Sequence, residues 1–497
     1  MNESDMWPSE ESEETAAPEL FLPALPVFDF ADDELPVYAA PDIAPGAAFA
    51  DESAAKRRSC WFVGVVGIMV LSLLASSIVS AVWLIGEWRS STAVTPTTNP
   101  SLAPGRIAYI NQNGQVVTMD PDGENGRLLT NSSSRHQFPA WSPDGQHLAV
   151  IGSSSILLLA DDAATAPISL YNNRAQNPFY LYWSPNGRLL SFLTNDPQHG
   201  IGLRLLQTDE PQQDRLLATG SPFYWNWTAD SSQMLIHTGF TGDEARLALL
   251  NTDSFDNAQE IAAPGFFQAP GISANGRYWA YAEDRGDGTS WLVVTDQQSG
   301  DRWLERHAGM VALGWSPVGD KLAFTSSIRE RSATFWGPLR LFDAASGETR
   351  LLSAATVLGF FWSPDGRYLA TISTGGSNND FGTNAANAGD GRRPILAKPN
   401  PQAEAHPFNL TVINVETGEE KQLLNFTPSA LFISQFLPFF DQYALSHRIW
   451  SPNSDAVVLA VLEEGRSQIK VVPTDGRSII TLGRGDMPFW SAGQPLP

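Results

Sequence analysis

The pentapeptide Trp-Ser-Pro-Asp-Gly at Trp141–Gly145 recurs in recognisable form to the C-terminus, and no other feature of the sequence restricts the fold as strongly. Copies begin at Trp141, Trp183 (Trp-Ser-Pro-Asn-Gly), Trp227 (Trp-Thr-Ala-Asp-Ser), Ile272 (Ile-Ser-Ala-Asn-Gly), Trp315 (Trp-Ser-Pro-Val-Gly), Trp362 (Trp-Ser-Pro-Asp-Gly), Trp450 (Trp-Ser-Pro-Asn-Ser) and Trp490 (Trp-Ser-Ala-Gly). The steps between them are 42, 44, 45, 43, 47, 88 and 40 residues. Self-similarity at such a period marks a repeat architecture, in which each unit buries its apolar face only against its neighbours.

The chemistry of the motif is that of a hairpin turn. Pro143 pre-sets φ for the first turn position, Asp144 suits the second, and Gly145 supplies the left-handed residue of a three-residue loop. Trp141 is expected to bury its ring between neighbouring units, as are Trp183, Trp227, Trp315, Trp362, Trp450 and Trp490. An apolar strand follows each turn, Leu148–Ile151 in the first copy, and two more short strands complete the unit. A period near 44 residues therefore fits a four-stranded propeller blade.

The motifs resemble the WD40-like repeats of the TolB-type β-propeller family, whose blades carry this aromatic-Ser-Pro-Asp-Gly turn followed by an apolar strand. The resemblance covers about residues 105–497 and implies an all-β domain. The soluble periplasmic member that names the family has six blades, a cleaved signal peptide and a preceding α/β domain. This sequence shows a different layout, so that protein's partners do not transfer to it.

Three strand-like runs, Arg106–Ile110, Gln115–Met119 and Arg127–Thr130, precede the first motif, and Asp486–Ser491 is an inner strand without a blade of its own. The two fragments complete each other, which gives an expectation of eight four-stranded blades with no open edge. The 88-residue step holds two insertions. One, 375–405, is rich in Gly, Asn, Ala and Pro; the other, 427–447, carries Phe432, Phe436, Phe439, Phe440 and Tyr443. Because strands alternate in direction, both insertions fall on the face opposite the Ser-Pro-Asp-Gly turns. Long loops on a rigid scaffold are common binding sites, so Phe436, Phe439, Phe440, Asp441 and Tyr443 are candidate partner contacts. The alternative is that these rings pack down as a lid over the central channel.

Composition bears on what precedes the repeats. The net charge is −23, and residues 1–55 hold 14 Asp and Glu, seven Pro and no Lys or Arg. Residues 1–58 are thus expected to be a disordered acidic tail. Trp61–Ile85 is a run of 25 residues without a charge, roughly 37 Å as a helix against a hydrocarbon core of roughly 30 Å. Residues 59–88 are expected to be a transmembrane helix, with Lys56, Arg57 and Arg58 placing the N-terminus in the cytoplasm. Residues 89–104, rich in Ser, Thr and Pro, read as a spacer, and 105–497 as an extracytoplasmic propeller.

An acidic balance opposes nucleic-acid binding. The single cysteine, Cys60, excludes an intrachain disulfide and a multi-cysteine metal site. No Gly-x-Ser-x-Gly elbow, P-loop, dinucleotide fingerprint or His-Glu-x-x-His occurs. The seven histidines are scattered singly, and neither the Asp120–Glu124 nor the Asp284–Asp287 cluster has full calcium-loop spacing. No catalytic residue, metal or cofactor is assigned. The sequence points to a membrane-tethered scaffold that binds a protein or envelope component; the alternative is a sugar or peptide receptor, or an enzyme, with its site in the central channel. The oligomeric state is left open.

Overall fold

The computed structural model describes residues 105–493 apart from 197–199, 240–243, 254–257, 287–288, 330–331 and 375–406. Consecutive antiparallel strands form six sheets. Four have four strands each and lie within 137–172, 178–220, 223–262 and 271–307; a seven-stranded sheet runs from Val311 to Phe426. The sixth joins the first and last strands among the described residues, because the strand Ile480–Trp490 pairs with Ile107–Asn111. Inner strands of successive sheets lie side by side around the circuit, so the architecture is a closed ring of the β-propeller type.

The expectation of eight separate four-stranded blades is corrected to six sheets. The strand Glu348–Trp362 pairs with Gly337–Asp343 through its first part and with Tyr368–Thr374 through its second. Ile480–Trp490 likewise pairs with Arg466–Pro473 and then with Ile107–Asn111. At both places the outer strand of one repeat runs into the inner strand of the next without a reversing turn. Continuous main-chain pairing then fuses two repeats into one sheet.

The membrane expectation is also corrected. No helix among the described residues is long and apolar enough to cross a membrane. The described helical stretch, within 432–446, is short and lies on the sheets. The proposed span 59–88, with the tail 1–58 and the spacer 89–104, falls outside the described residues, and no single-pass placement is carried forward.

The repeat motifs lock neighbouring units together. The indole N–H of Trp141 donates to the Phe489 carbonyl (3.2 Å), Trp183 to Ala140 (3.1 Å), Trp362 to Gly314 (2.9 Å) and Trp450 to Phe361 (2.9 Å). Each acceptor is the residue just before the motif position of the preceding repeat. Trp227, Trp315 and Trp490 occupy the same position, but their ring nitrogens have no hydrogen-bond partner. In the turn, Ser142 Oγ donates to Asp144 Oδ1 (2.5 Å) and accepts from His147 N (3.0 Å). Pro143 packs toward Gly187 of the next turn. Gly145 adopts φ +70°, and a Cβ there would come within 2.7 Å of the Ala492 carbonyl. These residues are structural parts of the ring.

Candidate functional site

The insertion 427–447 becomes a helical plug. Pro428 and Pro438 interrupt strand formation, and Ser429 Oγ accepts from Phe432 N (3.2 Å), offering the first turn a partner. A π turn Phe432–Phe436, a 3-10 turn Leu437–Phe439 and a helix Phe440–Ser446 follow. The helix ends where His447 turns extended into the next inner strand.

The structure brings the five sequence-selected residues together, but turns four of them inward. Phe436 stacks on Phe361 (5.7 Å between centroids), while Phe440 meets Phe335, Phe360 and Phe361 edge-on at 5.2, 5.0 and 5.8 Å. Tyr443 stacks on Phe138 (5.2 Å) and meets Tyr180 edge-on. Asp441 is buried; Phe439 is half-buried against the same core. Most of these ring contacts are with residues of the surrounding strands, and the buried four present little surface to a partner.

Polar bonds fix the plug's rotation. Gln442 accepts from Trp225 N (2.9 Å) and donates to Trp225 O (3.0 Å) and to the Tyr180 hydroxyl (3.2 Å). The Tyr180 hydroxyl donates to the Gln442 carbonyl (3.0 Å). Asp441 accepts from the backbone N–H groups of Ala269 (3.2 Å) and Gln442 (2.9 Å), and burial pushes its carboxyl up to about 7. Gln268 Nε2 donates to the Pro438 carbonyl (3.1 Å).

The receiving positions share one register that the sequence reading missed. Phe138, Tyr180, Ala269 and Gly359 each lie three residues before a motif position, and each meets the plug; His447, at the same offset, is where the plug passes into the next inner strand. A fixed offset from the repeated tryptophan was the available signal. At Gly359 a Cβ would lie 3.0 Å from Leu437 Cδ1 and 3.2 Å from Phe440 Cγ, so the phenyl ring occupies the space a side chain would need.

Beside the plug, on the face opposite the Ser-Pro-Asp-Gly turns, an open cleft of about 470 Å³ lies where the ring closes. Its rim carries Arg135, Arg466 and Arg484, all exposed and none with an ion pair among the described residues. Arg135 is seated by Gly114, whose α-carbon leaves room for the arginine stem. Ile110, Leu431 and Met487 supply apolar surface, and Asn111 and Gln112 supply amides. Asp486 accepts from Ser429 Oγ (3.0 Å), Ser467 Oγ (3.3 Å) and Met487 N (3.0 Å); burial raises its pKa above the ordinary carboxylate value. Burial lowers the pKa of His136, and its Nδ1 lies 3.2 Å from the Gly114 carbonyl, so the neutral ring donates there. Three guanidinium forks around an apolar patch can bind oxyanions.

Other histidines serve the fold. His237 stacks on Phe267 with Nδ1 at 2.8 Å from the Gln268 carbonyl, and His307 contacts Ser290 and the Gly309 carbonyl. His199 and His406 lie outside the described residues, as does the insertion 375–405. Among the described residues no three His, Cys, Asp or Glu side chains gather as a metal site.

No protein-family model matches the chain, and no curated protein matches it. Similar solved structures include a putative TolB from Agrobacterium tumefaciens, 15% identical, covering 66% of this chain and 90% of that one, with a TM-score of 0.32. TolB from Acinetobacter baumannii is also 15% identical, with 72% and 82% covered and a TM-score of 0.33. The dihydro-heme d1 dehydrogenase NirN in complex with DHE is 13% identical, with 80% and 78% covered and a TM-score of 0.49. At these values the similarity carries neither activity nor ligand to this chain.

Proposed function

We propose that the protein is a non-catalytic binding module, a TolB-like propeller that captures a partner or ligand through an acidic group held in the cleft beside the plug. One observation carries this reading: three exposed arginines, none with an ion pair among the described residues, line a single opening in a chain of net charge −23. Placement on the loop-bearing face of a rigid ring also suits binding. The channel-centred alternative, a receptor or enzyme with its site on the axis, loses support because Phe440, Gln442 and Tyr443 fill the plugged end.

The test is cross-linking capture from native extract with the full chain and with a variant carrying Arg135→Gln, Arg466→Gln and Arg484→Gln. The arginines are exposed, so the variant should melt like the wild type. Loss of a specific captured species in the variant is the expected result; an unchanged capture profile would overturn the reading.

A further inference from the structure

The same cleft specifies what kind of acid it takes, and this step rests on the binding role proposed above. We propose that its ligand is a small polycarboxylate, with at least two carboxylates set apart on a hydrocarbon skeleton and held by separate guanidinium groups of Arg135, Arg466 and Arg484.

The distribution of charge and apolar surface supports this chemistry. The three arginines come from three different segments: the approach to the inner strand Gln137–Trp141, the start of the strand Arg466–Pro473, and the middle of the strand Ile480–Trp490. They therefore surround the opening from separate chain segments, an arrangement for several separated charges. A compact anion such as phosphate is usually cradled by clustered backbone N–H groups at a helix start or nest. Guanidinium forks pair with carboxylate and phosphate alike, so what favours a polycarboxylate here is that the three forks come from separate segments and share their cleft with apolar side chains. Between them lie Ile110, Leu431 and Met487, which would cover a carbon skeleton, and the amides of Asn111 and Gln112 can meet further oxygens.

Size and charge set further limits. A space of about 470 Å³ is within the range of small-molecule sites and too small to enclose a folded partner. The net charge of −23 repels anions at long range, so affinity must come from the local arginines and must fall as salt screens them. Asp486 at the base of the cleft bonds two serine hydroxyls and a backbone N–H, which leaves the guanidinium groups free of it: no ion pair joins it to Arg484, two residues away.

Propane-1,2,3-tricarboxylate is the probe, titrated calorimetrically into the full-length protein at fixed ionic strength, with acetate, sulfate and inorganic phosphate in parallel. Saturable binding of the tricarboxylate is expected, at least tenfold tighter than acetate. Arg466→Gln and Arg484→Gln should each weaken it about tenfold or more, in line with the loss of one charge-assisted pair. The unliganded melting temperatures of both variants should match the wild type, which separates lost binding from lost folding. Equal responses to acetate and the tricarboxylate would overturn the proposal. Phosphate or sulfate binding without the tricarboxylate would also overturn it, while leaving an anion cleft in place. If the tricarboxylate does not bind but the triple-arginine variant still loses a cross-linked partner, the ligand class is wrong and the binding module stands. If both experiments fail, both readings fall.

Discussion

Replacing Asp441 with Asn should remove a defined part of the protein's pH dependence. The carboxyl is fully buried between the plug and the Ala269 backbone, and it sits at about 7 against an ordinary 3.8. Below pH 3.8 it is protonated in both folded and unfolded chains and makes no difference to stability. Between 3.8 and 7 the unfolded chain releases a proton that the folded chain retains, so stability falls as pH rises through this window. Above 7 the penalty has reached its full size, about 4 kcal/mol at about 1.4 kcal/mol per pH unit.

Asparagine reproduces the neutral acid: one oxygen remains to accept from Ala269 N or Gln442 N, and no charge can form. The unfolding free energy of Asp441→Asn relative to wild type should therefore grow by about 3 kcal/mol between pH 4.5 and pH 8. Urea denaturation at a series of pH values measures this directly. His307 and His447, held near 4 and 3 by burial, act in the opposite sense, since their contribution is lost as pH falls. They are common to both proteins and cancel in the difference. Parallel stability curves for variant and wild type would refute the account of a buried, proton-retaining plug.

Three further outcomes follow from the same structure. Trp450→Phe removes an indole bond to Phe361 and leaves that carbonyl buried, which should cost about 1 kcal/mol more than Trp227→Phe, whose ring nitrogen has no partner; chemical denaturation of the pair tests the latch. Gly359→Leu drives a side chain into Leu437 and Phe440 and should destabilise by about 1–3 kcal/mol in the same assay, whereas an unchanged midpoint would mean that the plug yields freely. A stop codon after Asp486 deletes Phe489 and Trp490 from the strand that pairs with Ile107–Asn111, and calorimetry should show loss of the single cooperative transition.

The parts legible in the sequence are those encoded locally. Trp141–Gly145 and its copies announce a hairpin turn because each residue type has one job at one offset, and the structure adds the indole-to-carbonyl bond. The segment 427–447 was visible as a departure from the repeat. Its helical form and inward packing depended on register with Phe138, Tyr180, Ala269 and Gly359, residues drawn from four repeats. Sheet number was not legible, since whether one strand ends before the next begins is decided by pairing on both sides, as at Glu348–Trp362. The cleft was invisible for the same reason. Arg135, Arg466 and Arg484 belong to no motif, and pairing at Ile480–Trp490 brings their segments to one opening.

Closure also explains why the opening lies at this seam. Phe138 and Met487 are equivalent positions in neighbouring inner strands, and both adopt left-handed backbone, with φ of 50° and 53°. Neither residue type favours that region; the cost is about 1–2 kcal/mol each. Register shifts accompany both, between Gln137 and Ala140 and between Ala108 and Ile110. Bulges of this kind bend a strand and change the direction of nearby side chains, and Arg135 and Arg484 lie three residues before Phe138 and Met487 respectively. The plug adjoins the distortion: Phe138 stacks on Tyr443 while its N–H donates to Met487 Sδ (3.0 Å), and Met487 lines one cavity with the plug residues Leu431 and Phe432. Strain of this sort persists only where surrounding contacts fix it. The buried aromatic insertion and the arginine rim thus meet at one seam: the rings of the plug pack on Phe138, and the strands that bear Phe138 and Met487 also bring Arg135 and Arg484 to the cleft.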